Sequence, residues 1–377
     1  MRLRSLTARA AVAALGLLAA CDRHKAVTPA GPVVNVYAAT ADGRLSPAAA
    51  AAPSRIYVPN VKSNDVDVID PATLKVIDHY AVGHAPQHVV PSWDLKTLWV
   101  TGSAEGRVPG SLTSIDPLTG KPTRVLTVDD AYNMYSSQDG RYAVVVAEAR
   151  RQLEYRDPHT MKLEASLPAR GCKGLNHADF SPDGRYAIFT CEFSGSIAKI
   201  DIDGRKVLGY LRLRGGGMPQ DVRIGPDGRT FYVANMMTDG VSVIDGPTFR
   251  ETGFIPTGIG AHGVYPSRDG KLLYVADRGS HSVNGARHGP GKVSVIDFAT
   301  RKVVREWPIP GGGSPDMGNV SVDGTKLWLS GRFDDVVYRI DTRTGHVDQI
   351  PVGHMPHGVA VWPQPGRYSL GHTGIMR

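Results

Sequence analysis

Four histidines in this chain stand at corresponding places in a recurring pattern. They are His88 (Ala85-Pro86-Gln87-His88), His177 (Leu175-Asn176-His177), His262 (Gly260-Ala261-His262-Gly263) and His357 (Met355-Pro356-His357-Gly358). Neutral imidazole is a ligand for copper, zinc and iron, and a carboxylate adds charge to such a set. The other three copies carry Asn133, Asp221 and Asp316. A ring of these side chains about one axis would make a transition-metal or haem site, with His84 and His354 as an outer shell. Spacing argues the other way. His88 and His177 fall six residues before a recurring turn aspartate, whereas His262 and His357 fall seven before Asp269 and Gln364. Adjacent strand residues face opposite ways, so all four converge only if the strands begin irregularly. On regular strands they hydrogen-bond loop carbonyls or face a partner.

The turns that set this count define the architecture. Ser92-Trp93-Asp94, Ser137-Gln138-Asp139-Gly140, Ser181-Pro182-Asp183-Gly184, Gly225-Pro226-Asp227-Gly228, Ser267-Arg268-Asp269-Gly270 and Ser321-Val322-Asp323-Gly324 recur about every 44 residues. A degenerate copy spans 362–366, and alternating strands end in Asp70, Asp116, Asp157, Asp201, Asp245, Asp297 and Asp341. A period of this length, filled with four short strands and no helical pattern, predicts a β-propeller. The first copy, from 56–60 (IYVPN), lacks its inner strand, and the last, 357–362 (HGVAVW), is an inner strand lacking the other three. Pairing the two ends gives an all-β, seven-bladed propeller of four-stranded blades with no open edge.

The strands 56–60 (IYVPN), 231–235 (FYVAN) and 273–277 (LYVAD) resemble the YVTN motif, and 241–245 (VSVID) and 293–297 (VSVID) resemble its partner strand. Over roughly residues 55–365 the chain is similar to YVTN propellers, and within them to the YncE-like periplasmic proteins. The resemblance implies a cell-envelope setting. Related propellers bind haem, copper or quinone-linked partners, and others are lactonase-like hydrolases. Fold alone carries none of these activities across.

Residues 1–20 read as a lipoprotein signal peptide: Arg2, Arg4 and Arg9 precede an apolar run too short to span a bilayer. The run ends in Leu18-Ala19-Ala20-Cys21, which resembles a lipobox, so Cys21 is the expected lipidation site and membrane anchor. Residues 21–54 then form a Pro/Ala-rich tether in which the apolar 33–37 (VVNVY) docks on the propeller; 55–366 are the propeller and 367–377 a tail. Without the leader arginines the net charge falls from +7 to +4, too mild and dispersed for a nucleic-acid footprint. The remaining cysteines, Cys172 and Cys191, fall on one face of the same blade. Export permits a disulfide between them, and two buried thiols are the alternative.

No Gly-x-Ser-x-Gly, His-Glu-x-x-His, Cys-x-x-Cys or Cys-x-x-Cys-His motif is present, and no catalytic residue is named by pattern. The glycine-rich 215–221 and 311–316 precede strands rather than helices, so they read as turns. The histidine face also carries Glu148, Arg150, Arg151, Glu192, Phe193, Arg278 and Arg332, and an insertion at 278–291. The expected function is a monomeric, lipid-anchored envelope module binding a protein or small ligand at this face. The alternative is a metal- or haem-binding propeller with redox or lactonase-like hydrolytic activity using the channel histidines. For the lactonase-like reading His88, His177, His262, Asp221 and Asp316 would supply the activated water and its acid and base.

Overall fold

Each repeat folds as a four-stranded antiparallel sheet because its turns are chemically specified. In one, Ser181 Oγ donates to Asp183 Oδ1 (2.8 Å), which also accepts from Arg185 N, while Gly184 sits at φ +67°, a region closed to most side chains. Aspartates closing the third strands act alike. Asp157 Oδ1 accepts from the N and Oγ1 of Thr160 at 2.7 and 2.8 Å, and Asp297 binds Thr300 the same way. These bonds hold both carboxyls below the usual range. The recurrent aspartates make turns, leaving the chemistry to other residues.

The computed structural model describes residues 35–104, 108–284 and 290–366. They form seven four-stranded sheets. Blade 1 joins Arg55–Asn60, Asp65–Asp70 and Lys75–Ala81 to the C-terminal strand Ala360–Trp362, with Ile56 opposite Val361 and Tyr57 opposite Ala360. Blades 2 to 7 follow in chain order, with inner strands Pro86–Pro91, Asn133–Ser136, Leu175–Phe180, Pro219–Ile224, Ala261–Pro266 and Pro315–Val320. Inner strands are buried along their length, whereas the outermost strand Lys206–Arg212 alternates between exposed and half-buried. Apolar wedges fill the space between blades: Tyr135, Phe180 and Phe189 between blades 3 and 4, and Tyr265, Trp307 and Leu327 between 6 and 7. Polar bonds fix the blades in register, as when Thr190 Oγ1 donates to Gln220 O (2.6 Å) and Asp179 Oδ2 accepts from Ile224 N (2.8 Å).

Residues 35–54 lie along the end of the channel opposite the histidines. Tyr37 is buried and its hydroxyl donates to Ile224 O (2.5 Å), where the inner strand of blade 5 ends. Farther on, Leu45 bridges Gly366, Ser46 Oγ caps the short helix Pro47–Ala50, and Ala49 and Ala52 pack near Trp362 and Leu98. Cys172 and Cys191 form a disulfide with Cα atoms 4.8 Å apart. Closing a loop of 19 residues contributes about 3 kcal/mol by restricting the unfolded chain. The signal peptide, Cys21, Val33, Val34 and the tail 367–377 lie outside the described residues.

Candidate metal centre and channel pocket

The inner strands do begin irregularly. Pairing with the second strand slips between Pro86 and His88, between Leu175 and Ala178, and between Ala261 and Gly263. Such bulges insert a residue and re-aim the side chains beside it. His357 precedes its strand altogether: its N–H donates to Pro59 O (3.0 Å), and its own carbonyl accepts from Val359 N (2.7 Å). The one-residue offset in the sequence is absorbed there.

As a result His88, His177 and His357, from three blades, place one donor nitrogen each within 4.8 Å of the others. Ring centroids are 5.0 Å apart for His88 and His177 and 4.9 Å for His88 and His357, and all three side chains are buried. His262 stands aside: its ring centroid is 6.2 Å from that of His357, and its Nδ1 lies 2.8 Å from Asp316 Oδ1. Asp316 Oδ2 accepts from His357 Nδ1 (2.9 Å), which fixes the tautomer and leaves the lone pair on Nε2. Burial, aided by the Arg332 guanidinium, pushes His357 down to about 3; burial and Arg278 push His262 down to about 4. Burial also holds His88 and His177 well below the usual range, so at neutral pH these imidazoles are neutral donors.

Tyr132 completes the cluster and was not marked by residue type. Its hydroxyl lies 3.3 Å from both His177 Nε2 and His357 Nε2. Asn133 and Asp221 do other work. Asn133 Nδ2 donates to Tyr135 Oη, and Asp221 pairs with Arg223 (3.0 Å) and accepts from Val264 N in the next blade. Burial raises Asp221 to about 7 against the pull of Arg223. His354 is exposed on Asp335 (3.0 Å), a surface pair instead of an outer shell.

Above the histidines the channel opens into a pocket of about 210 Å³, lined by Tyr132, His357, His262, Glu192, Arg278 and Arg332 among others. Arg278 Nη2 reaches Asp316 Oδ1 at 2.6 Å, and Glu192 accepts from Asn176 and Gln220. Burial and the neighbouring Glu192 push Glu148 well above the usual carboxyl range. Val283 and Asn284, from the start of the insertion, sit at the pocket too. Its volume lies below the about 300–1,000 Å³ of sites for drug-sized ligands, which suits a small molecule better than a haem.

A family model described as YNCE-like beta-propeller matches residues 17–366. No curated protein sequence matches the chain. Among solved structures it is similar to a functionally unknown protein from Desulfotomaculum acetoxidans (16% identity, 83% of this chain and 100% of that one, TM-score 0.65). It is also similar to the periplasmic gluconolactonase PpgL of Pseudomonas aeruginosa (18%, 83% and 99%, TM-score 0.62). A third is the dihydro-heme d1 dehydrogenase NirN in complex with DHE (17%, 81% and 74%, TM-score 0.60). At these identities the likeness is one of fold.

Proposed function

We propose that this chain, which belongs to the YNCE-like β-propeller family, is an exported small-ligand-binding module whose channel holds one copper or zinc ion on His88, His177 and His357. The observation that carries the reading is the approach of three buried imidazole donors, from three blades, to within 4.8 Å of one another. Imidazole sets favour the copper and zinc end of the first-row series. The Asp316–His357 pair is the carboxylate–imidazole arrangement that raises ligand basicity at such centres. Three protein ligands leave a fourth position for a ligand or water, and His357 and Tyr132 of the cluster also line the pocket. Copper or zinc titrated calorimetrically into chelator-treated protein should bind at one ion per chain. His88→Ala or His177→Ala should weaken that binding at least about 100-fold, beyond the usual effect of an outer-sphere change. Absence of saturable uptake, or variants that bind like the wild type, would rule the site out.

An exported setting agrees with the leader and with a disulfide between two buried cysteines. Anchoring through a lipid on Cys21 belongs to the same proposal. The Cys21→Ser protein should leave the membrane fraction, and its retention there would refute the anchor.

A further inference from the structure

The pocket above the histidines is lined by a buried guanidinium whose hydrogen bonds its own walls leave unmade. Arg332 directly follows the strand Lys326–Gly331 and is only 6% exposed. Its Nε and Nη1 have no hydrogen-bond partner among the described residues. The carboxylate oxygen Asp316 Oδ2 lies 3.9 Å from Nε, beyond hydrogen-bond range. Asp316 is already engaged by Arg278, His262 and His357. Glu192, on the same pocket, is held by Asn176 and Gln220. A buried guanidinium short of acceptors is costly, and an anion entering the pocket relieves that cost.

From this, and resting on the reading of the pocket as a ligand site, we propose that it takes a small carboxylate gripped by Arg332. A charge-assisted hydrogen bond from the guanidinium to a carboxylate oxygen is stronger than one between neutral groups. About 210 Å³ is room for an acid of a few carbons and its hydroxyl groups. One unsatisfied guanidinium suits a monoanion; a phosphate dianion asks for more donors than Arg332 offers.

The test uses full-length, chelator-treated protein, so that metal uptake is read separately and either reading can fail alone. Glycolate, acetate and inorganic phosphate are titrated by calorimetry and by thermal shift into wild type, Arg332→Met and Arg332→Lys. Glycolate should bind the wild type saturably and raise its melting temperature. Its affinity should fall about 10–100-fold in Arg332→Met, the loss of a charged hydrogen-bonding partner. Arg332→Lys should recover part of the binding, and Arg332→Met without ligand should melt no lower than the wild type. A wild type indifferent to carboxylates, equal binding by Arg332→Met, or a response to phosphate alone would overturn the proposal.

Discussion

Replacing Asp316 by Asn should cost about 3–5 kcal/mol of stability, among the largest effects of any single polar substitution in the molecule. Asp316 is fully buried and stands between four basic groups: Arg278 Nη2 at 2.6 Å, His262 Nδ1 at 2.8 Å, His357 Nδ1 at 2.9 Å and Arg332 Nε at 3.9 Å. Burial alone would raise its pKa, yet Arg278, His262 and His357 override this and hold it well below the carboxylate range. It is therefore ionised at neutral pH. Asparagine keeps the shape and removes the charge, so Arg278 and Arg332 are left buried without a counter-charge. The same change deprives His357 of the acceptor that orients it and should weaken copper or zinc binding about 10–100-fold. Guanidinium unfolding and metal titration of one variant read both effects. A stable variant with unaltered metal affinity would show that the carboxylate organises neither the hub nor the centre.

Trp362→Ala should be comparably disruptive for a different reason. The ring is closed by three residues, Ala360–Trp362, laid against Arg55–Asn60. Trp362 is buried in the cluster containing Tyr57, Leu98 and Ala49, so its truncation forfeits both the apolar area and the filling of the space it leaves. Such losses cost about 3–5 kcal/mol for a buried tryptophan. His357 belongs to the same terminal segment, held by its N–H on Pro59 O and by Gly358 N on Gln87 O. A loosened closing strand should therefore reduce metal affinity along with the melting temperature. An unchanged melting curve would mean that the closing strand contributes little to the ring.

The ring was legible in the sequence because its information is local. The Ser-x-Asp-Gly turns and the terminal aspartates specify hairpins through bonds within a few residues, and the missing strands at the two ends add up to one blade. The histidine centre was half legible. Type and position marked His88, His177, His262 and His357, but the six- and seven-residue offsets forbade their meeting on regular strands. Bulges at His88 and His177, and the segment ahead of the closing strand for His357, bring those three together and leave His262 aside, a property of the assembled ring that no single repeat reveals. Tyr132 could have been found by the same count, since it falls seven residues before Asp139, as His262 does before Asp269. Glu192, Arg278 and Arg332 were marked by their place just after a second strand. Only the assembled pocket separates them from Arg150, which pairs at the surface with Asp129 (3.2 Å). The apolar 33–37 stood out within 21–54, and its Tyr37 is indeed buried against the ring, whereas the Pro/Ala composition that reads as tether hides that Ala49 and Ala52 are buried too.

The most direct test of the account is the metal content of full-length protein purified without affinity resins or chelators, beside a His88→Ala/His357→Ala double variant. About one copper or zinc ion per wild-type chain, absent from a double variant that still folds, is the predicted result. A wild type that carries no such metal and takes none up, or a double variant that retains it, would contradict the central claim.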